Sequence, residues 1–144
     1  MKVESNQAAL NAKDVTISTK MSVELCGYIK NKKLKDAQKF LDRLVNMKSA
    51  LPIKRFRRDL SHKKGMGAGR YPIKVGKEFL NLLNSVQKNA ENKGLNTDNL
   101  IISYAKADRA EARHRSTRKG RTRMKNTHVS LVVTESNNGE NKKW

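Results

Sequence analysis

The sequence predicts an α+β fold, with three helices packed on a small three-stranded antiparallel sheet and a long protruding β-hairpin. Three segments carry apolar residues at helical spacing, and two segments toward the C-terminal end alternate apolar and polar residues as half-buried strands do. No strand–helix–strand repeat is visible, so a parallel sheet is not expected. The stretch between the two alternating segments is almost entirely polar and basic, which makes it the part expected to protrude.

The predicted hairpin covers residues 100–135, with its turn near residues 118–120. Each arm then holds about 17 residues and extends ~55 Å, whereas a domain of about 100 residues has a radius of gyration of ~13 Å. An isolated two-stranded ribbon is marginally stable in water, and repulsion between arginines weakens it further. We therefore expect a polyanion around its outer part. The turn position sets the register, with Ile102 opposite Val133 and Tyr104 opposite Leu131.

The N-terminal part is predicted to add one strand and one helix. Residues 1–11 have little pattern and are interpreted as a polar leader. Residues 12–18 alternate apolar and polar side chains, which predicts a short strand that joins the sheet at the hairpin base. A hydroxyl group at Ser18 or Thr19 is a suitable N-cap for a first helix that ends near Lys30.

Two further amphipathic helices are predicted. The second has apolar residues at helical spacing between Leu34 and Val45, and it should end before Pro52 because the residue before a proline avoids the helical region. The third begins after Pro72 and ends at Gly94, where a left-handed residue is expected. The residues on its apolar face are Val75, Phe79, Leu82, Leu83, Val86 and Ala90.

Residues 49–71 are predicted to form a basic glycine-rich loop, because they show neither helical nor strand periodicity. Glycine permits close approach of the backbone, so the loop is expected to lay its amides and charges against phosphates. The glycine run at residues 65–69 also suggests a mononucleotide site, but it follows no strand and no Gly-Lys-Ser or Gly-Lys-Thr closes it. A loop that is disordered in the free protein and becomes ordered on RNA is the alternative.

The composition indicates a partner of opposite charge. The 144 residues suit one modest domain, with a body at residues 12–99 and a polar tail at residues 136–144. Lys plus Arg number 32 against 13 for Asp plus Glu, a formal net charge of +19 that predicts association with polyanions. No apolar run approaches the ~20 residues that span a bilayer, and the start lacks a signal-peptide core. We therefore expect a cytoplasmic protein without membrane insertion.

The residue sets that catalysis needs are not visible. There is no carboxylate pair, nucleophile with a base, or metal-ligand cluster, so no enzyme, catalytic residue, metal or cofactor is predicted. The single cysteine, Cys26, excludes an internal disulfide and fits a reducing compartment. Its apolar neighbours predict a packed core thiol rather than a nucleophile. His128 is expected to be structural, while His62 and His114 lie among cations that disfavour protonation and metal binding.

RNA is the polyanion that the pattern favours. Helix-turn-helix, zinc-ligand and heptad patterns of DNA-binding proteins are absent from the sequence, whereas structured RNA is recognised largely by shape, 2′-hydroxyl and phosphate contacts. An arginine guanidinium group can also stack on an unpaired base. The residues predicted to bind RNA are Lys54, Arg55, Arg57, Arg58, His62, Lys63, Lys64, Arg70, Arg109, Arg113, Arg115, Arg118, Lys119, Arg121, Arg123 and Lys125.

Several motifs together resemble one protein family. They are Gly69-Arg70-Tyr71-Pro72, Phe79-Leu80-Asn81-Leu82-Leu83, Asn89-Ala90-Glu91-Asn92-Lys93-Gly94-Leu95, Lys119-Gly120-Arg121 and Thr127-His128-Val129-Ser130-Leu131-Val132-Val133. Over residues 12–135 the chain resembles the universal large-subunit ribosomal protein twenty-two family, in its archaeal and eukaryotic branch. It departs from many relatives by lacking a proline in the hairpin and by its short polar tail.

The resemblance implies a structural constituent of the large ribosomal subunit. Its body would lie near the tunnel exit, and its hairpin would pass inward through ribosomal RNA, support assembly and form part of the wall of the nascent-peptide tunnel. The implied partners are large-subunit ribosomal RNA, neighbouring large-subunit ribosomal proteins and the nascent polypeptide. The residues implied at the tunnel tip are Arg115, Ser116, Thr117, Arg118, Lys119, Gly120 and Arg121.

Three alternatives remain open at this stage. The arginine-rich run would be a solvated flexible tail, although alternating apolar segments on both sides of it argue against that. A DNA-compacting architectural protein would share the charge and even a basic ribbon arm, but it would normally form a dimer. An RNA-modifying enzyme would require a cofactor pocket, and no cofactor motif is present.

Overall fold

The structure is a computed structural model that describes residues 6–56 and 58–136. Within these residues the helices are α1 (Thr19–Ile29), α2 (Leu34–Val45) and α3 (Ile73–Asn92). The strands are β1 (Gln7–Val15), β2 (Leu51–Pro52), β3 (His62–Lys63), β4 (Met66–Arg70), β5 (Leu100–Arg109), β6 (His114–Thr117), β7 (Gly120–Arg123) and β8 (Thr127–Glu135). The assignment of the whole chain to one domain stays a prediction, and residues 137–144 of the predicted tail lie outside the described residues.

The main sheet has β8 at its centre, between β1 and β5, with both neighbours antiparallel to it. On β8 the alternating residues Val129, Leu131 and Val133 are buried. A central strand of β-branched and apolar residues suits this position because it is paired on both sides and packs well on a pleated surface. The three helices and this three-stranded antiparallel sheet confirm the predicted α+β class.

The helices pack on the sheet face that carries these residues. α1 lies against β5, α3 against β1 and β8, and α2 lies on α3. Fully buried side chains from helices and sheet form one core, including Leu25, Ile29, Leu41, Leu44, Phe79, Leu83, Leu100 and Ile102. The predicted apolar face of α3 is buried except at Leu82, which is half-buried.

The end of α3 follows the predicted rule. Gly94 has a φ of 74°, its N–H donates to the carbonyl of Glu91 (2.9 Å), and the N–H of Leu95 donates to the carbonyl of Ala90 (3.0 Å). These two bonds make a Schellman motif, which satisfies carbonyls that the helix itself leaves free. The glycine is required here because side chains disfavour a positive φ.

The first two helices lie where they were predicted, but for partly different reasons. Ser18 is the N-cap of α1, yet its side chain makes no capping hydrogen bond, so the predicted role of that hydroxyl is wrong. α2 ends well before Pro52, and Met47, with a φ of 55°, turns the chain soon after the helix. The C-terminal end of α2 is therefore set by the reversal of the chain at Met47 rather than by Pro52.

Small and polar residues join α2 to α3. A Cβ at Gly76 would lie 2.8 Å from Cδ2 of Leu44, so glycine allows the two helices to approach closely. At the solvent edge of the same interface, Gln38 Nε2 donates to Asn84 Oδ1 (3.0 Å) and Gln87 Oε1 (3.1 Å). The helix pair is thus tightly packed inside and hydrogen-bonded outside.

β1 is longer than the sequence indicates. It begins at Gln7, inside the segment interpreted as a polar leader, and ends at Val15, so the predicted strand at residues 12–18 is wrong at both ends. Ala8 is fully buried, and the strand pairs with β8 from its first residue. Alanine and asparagine are poor strand formers, so propensity gave no signal and tertiary pairing decides the structure. Asp14, with a φ of 57°, lies in a bulge near the end of the strand.

Residues 49–71, predicted to lack strands, form a small sheet with the order β2–β4–β3. We call these three strands the small sheet. Leu51 and Ile53 anchor it in the core, and the N–H of Ile53 donates to the carbonyl of Ala68 (2.9 Å). The strands are two to five residues long. Such short strands cannot display a period of two, and glycine is a poor strand former, so the pattern missed them.

The base of the hairpin matches the predicted register only in part. The pairs are Ile102 with Val133, as predicted, and Tyr104 with Val132 rather than Leu131. The register shifts at Ser103, whose hydroxyl group donates to the carbonyl of Val132 (3.2 Å). A β-bulge sets two residues opposite one, so each later residue of β5 is displaced by one position.

Other parts of the chain cover part of each edge of the main sheet. On the β1 side, Asn89 of α3 donates to the carbonyl of Ala9 (3.2 Å). On the β5 side, the link between α1 and α2 makes two backbone hydrogen bonds with Ile102. The N–H of Asn31 donates to the carbonyl of Ile102 (2.8 Å), and the N–H of Ile102 donates to the carbonyl of Lys32 (3.0 Å). Edges covered in this way offer fewer free groups to another strand.

Truncating Phe79 should destabilise the body, because its side chain is fully buried in the core. We expect Phe79→Ala to lower the free energy of unfolding by about 3–5 kcal/mol, and Leu83→Ala by about 2–5 kcal/mol. Urea denaturation measures this. Leu80→Ala, at a half-buried position of the same helix, is the control and should cost clearly less; equal losses at Leu80 and Phe79 would contradict this core.

Candidate nucleic-acid interface

Beyond the main sheet, the hairpin continues as a separate two-stranded ribbon formed by β6 and β7. Its ladder runs from the pair His114–Arg123 to the pair Thr117–Gly120. Every side chain from Arg113 to Lys125 is exposed. We call residues 113–125 the distal ribbon. Because the body buries none of these side chains, the ribbon depends on its own ladder and on its attachment.

The turn of the distal ribbon lies at Arg118 and Lys119, as the sequence predicts. Gly120, which follows them, has a φ of 96°, whereas the two turn residues do not have positive φ. This combination is typical of a type I turn followed by a left-handed glycine. Thr117 Oγ1 donates to the carbonyl of Gly120 (2.7 Å) and lies 3.2 Å from Thr122 Oγ1. The turn is therefore closed by side-chain as well as backbone contacts.

The two faces of the distal ribbon differ in charge. Residues directly opposite on an antiparallel ladder point to the same face. One face carries His114, Ser116, Arg121 and Arg123, and the other carries Arg115, Thr117, Thr122 and Gly120. The first face is thus the more cationic, and the second presents mainly hydroxyl groups. The sequence alone did not show this difference, because it requires the register of the ladder.

An irregular segment joins the distal ribbon to the main sheet. Residues 110–113 lie opposite residues 124–126, so the register shifts once more between the two ladders. We call these two segments the neck; its outer residues, 113, 124 and 125, also belong to the distal ribbon. Ala110 and Asn126 are buried there, and the N–H of Ala110 donates to the carbonyl of Asn126 (3.2 Å). The strands therefore stay together although the ladder is interrupted.

Side-chain hydrogen bonds fix this region to the body. Asn126 Nδ2 donates to Asp14 Oδ1 (2.8 Å), which ties the neck to the bulge of β1. Thr127, fully buried beside the neck, donates to the carbonyl of Ile17 (3.0 Å), and its hydroxyl oxygen lies 2.8 Å from that of Thr19. The distal ribbon is thus held at its root by β1, by the link after it and by α1.

A second basic surface lies on and beside the small sheet. Its exposed cationic or titratable residues are Lys54, Arg55, Arg58, His62, Lys64 and Arg70, and Lys63 is half-buried. Arg57 lies outside the described residues. A Cβ at Gly69 would lie 2.7 Å from Cγ of Lys63, so glycine allows β3 and β4 to lie together. Gly65, with a φ of 74°, makes the turn between them.

Glu24 holds this second surface in place, and sequence reasoning missed it. This residue of α1 is only 7% exposed, and its carboxylate accepts hydrogen bonds from the backbone N–H groups of Lys54 (3.1 Å), Arg55 (2.8 Å) and Phe56 (2.7 Å). Bonds to a charged acceptor are stronger than neutral ones. The one available signal was an acid between apolar residues of a helix, which predicts buried donors but not where in the chain they lie.

The predicted RNA-binding residues therefore divide between two surfaces, with Arg109 near the neck at the end of β5. The described ion pairs join Lys35 to Asp98 and Lys106 to Asp108. Within residues 6–56 and 58–136, no predicted RNA-binding residue takes part in one. Their charges are consequently not neutralised by carboxylates of the described chain, and they attract an external anion.

Cys26 lies in the core and is not a nucleophile. It is buried, and burial, with a smaller contribution from the Asp108 carboxylate, raises the pKa of its thiol to about 12. Thiolates are the reactive form of cysteine, so this group is inert near neutral pH. The prediction of a packed core thiol is confirmed.

The described residues offer no group of three or more His, Cys, Asp or Glu that could hold a metal ion. His128 has the structural role expected of it, since its Nδ1 accepts a hydrogen bond from the N–H of Asp14 (3.1 Å). Among the same described residues, no helix is both long enough and apolar enough to cross a membrane.

Comparison with known proteins identifies the family of the chain. The family described as ribosomal protein L22p/L17e matches residues 10–134. The chain belongs to this family. Family membership confirms the resemblance seen in the sequence and the prediction that the chain is not an enzyme, because the family consists of ribosomal proteins.

Three archaeal relatives, each called large ribosomal subunit protein uL22, illustrate the similarity. The one from Thermoplasma acidophilum is 35% identical over 140 residues, covering 94% of this chain and 93% of that protein. The one from Methanoculleus marisnigri is 38% identical over 141 residues, covering 90% of each chain. The one from Thermofilum pendens is 41% identical over 101 residues, covering 69% of this chain and 67% of that protein.

Replacing Glu24 should loosen the second basic surface. We expect Glu24→Ala to lower the free energy of unfolding by about 2–3 kcal/mol, since hydrogen bonds to a charged group contribute about 1.5–3 kcal/mol each and the freed N–H groups regain only part of this from water. Amide hydrogen exchange should also become faster at residues 54–56. Asp36→Ala, which removes an exposed carboxylate of α2, is the matched control. Unchanged exchange at residues 54–56 in Glu24→Ala would contradict the proposed role of Glu24.

Cys26 should report folding through its thiol. At about pH 8 a thiol reagent should react slowly with native protein and rapidly in urea, because the unfolded thiol has a pKa of about 8.5 and the folded one a pKa of about 12. The pKa is raised on folding, so the thiol's contribution to stability is complete below about pH 8.5 and is lost as the pH rises toward about 12. Fast labelling of the native chain would contradict this burial.

Proposed function

We propose that this chain is a structural constituent of the large ribosomal subunit, where it binds ribosomal RNA, supports assembly and contributes its hairpin tip to the wall of the nascent-peptide tunnel. One observation carries the proposal: an exposed ribbon, whose cations form no ion pair with the described residues, is anchored in a folded body. The relatives named above are large-subunit proteins, which supports the same placement.

RNA binding would be dominated by phosphate contacts. Lysine and arginine release counterions when they neutralise phosphates, which makes affinity fall steeply with salt. The more cationic face of the distal ribbon, with Arg121 and Arg123, is the side we assign to the RNA backbone. Arginine is suited to this task because its planar group binds phosphate in two places and can stack on a base.

The second basic surface would bind RNA at the level of the body. Lys54 and Arg55 project from a segment that Glu24 fixes by its backbone, so their side chains start from defined positions. A fixed backbone reduces the conformational entropy that binding costs. The two surfaces together would let one protein hold separate RNA segments together, which is how a structural constituent would support assembly of the subunit.

The tunnel assignment concerns the turn of the distal ribbon. We assign the seven residues 115–121 to the tunnel, as the family resemblance implies, where they would meet the nascent polypeptide. An exposed turn on a ribbon anchored only at its root is compatible with insertion between RNA helices. Neighbouring large-subunit proteins are the further partners of the body, and the cytoplasm is the proposed location.

Removing the arginines of the distal ribbon should weaken RNA binding without unfolding the body. We expect the combined change of Arg113, Arg115, Arg118, Arg121 and Arg123 to Ser to reduce incorporation into large subunits. The slope of log affinity for ribosomal RNA against log salt should become shallower by up to about 4, since each phosphate contact contributes roughly 0.7–0.9.

The matched control removes the same charge from the exposed sides of α2 and α3, by changing Lys39, Arg43, Lys74, Lys77 and Lys88 to Ser. It should alter the salt slope much less. Normal incorporation of the ribbon variant, with unchanged chemical reactivity of tunnel RNA, would refute the tip assignment. Equal competition by duplex DNA, together with dimer formation in sedimentation, would favour the DNA-compacting class instead.

A further inference from the structure

A cleft of about 280 Å³ lies between α1 and the segment that follows β2. Its lining from α1 includes Val23, Gly27 and Tyr28, and its opposite side is formed by Pro52, Lys54 and Arg55. The floor is mainly carbon, whereas Lys54 and Arg55 are exposed at the rim. The cleft therefore combines apolar walls with positive charge, and it belongs to the body rather than to the distal ribbon.

Gly27 leaves one side of the cleft without a side chain. The residue lies within the helix and is exposed, its φ is not positive, and a Cβ placed on it would meet no atom within 4 Å. Neither backbone conformation nor internal packing requires glycine here. A glycine inside a helix costs about 0.5–1 kcal/mol relative to alanine. The missing side chain leaves the cleft open at this point.

The charges around the cleft select an anion. The one acid in its lining, Glu24, is only 7% exposed, and its carboxylate is occupied by three backbone N–H groups. One further cation lies beside the lining: Lys32 Nζ is 3.3 Å from the ring centre of Tyr28. The exposed charges at the cleft are thus positive, and its lining is mainly carbon.

We propose that this cleft binds one unstacked nucleotide of RNA. Its base would lie against Val23, Gly27 and Pro52, and its phosphate would lie near Lys54 and Arg55. Proteins commonly hold unpaired nucleotides with an arginine guanidinium plane beside the base, and Arg55 offers such a group here. The inference rests on the proposed RNA-binding function but assigns a separate site to the body, so the two can fail separately.

The test uses the full chain, labelled with ¹⁵N, as wild type, Gly27→Leu and Gly27→Ala. Leucine fills the cleft and alanine leaves most of it open, and open space at this position accepts both. The probe is a short single-stranded RNA of mixed sequence. We expect saturable amide shifts at the cleft and, separately, at the distal ribbon. Gly27→Leu should remove the first set and weaken RNA binding, whereas Gly27→Ala should change neither.

Each other outcome overturns the proposal in a recognisable way. Shifts at the distal ribbon with none at the cleft refute the nucleotide site and leave RNA binding by the distal ribbon intact, and no shift anywhere refutes both. If inorganic phosphate alone reproduces the cleft shifts at equal concentration, the cleft binds an adventitious ion only. If Gly27→Leu binds RNA normally but enters subunits poorly, the occupant is a neighbouring protein. Thermal unfolding should show both variants at least as stable as wild type, because each replaces a helical glycine.

Discussion

The backbone ladder of β8 is the interaction on which the rest of this structure depends. β8 pairs with β1 on one side and β5 on the other, and its inward residues complete the core beneath the helices. It is also the strand that returns from the distal ribbon. The same residues thus close the sheet and anchor the hairpin, and the anchoring is reinforced where Thr127 and Asn126 bond to the segments around α1 and β1. A two-stranded ribbon with this charge would be unstable alone.

Apolar burial and positive charge are separated in space. The core lies between the helices and the main sheet. The cations of the distal ribbon are exposed, those of the small sheet are exposed or half-buried, and none of them forms an ion pair among the described residues. Repulsion among them therefore acts mostly outside the core and is relieved when an anion binds. Within the body, the buried charge of Glu24 is balanced by backbone donors instead of a cation, which leaves Lys54 and Arg55 available to a partner.

The sequence predicts the elements that depend on residues close together in the chain, such as a helix with a periodic apolar face or a turn that requires glycine. The helices, the left-handed end of α3 at Gly94 and the turn of the hairpin all follow from periodicity or from glycine. The missed features depend on partners distant in the chain. β1 gains its first residues by pairing with β8, the small sheet is made of strands too short to show a period, and the bulge at Ser103 inserts one residue without any mark in composition. For the same reason, the basic residues could be predicted from the sequence. The hydrogen bonds of Glu24 to residues 54–56 and the difference in charge between the two faces of the distal ribbon could not.

The neck has a geometric consequence that reaches the end of the hairpin. Residues 110–113 face residues 124–126, so one arm crosses this region with an extra residue. A change of register by one residue moves every side chain of the slipped strand to the opposite face. If an insertion or deletion of one residue in one arm of the neck shifted the β6–β7 ladder in this way, His114 and Ser116 would no longer share a face with Arg121 and Arg123. The length of the neck thus helps to set how charge is divided between the two faces of the distal ribbon.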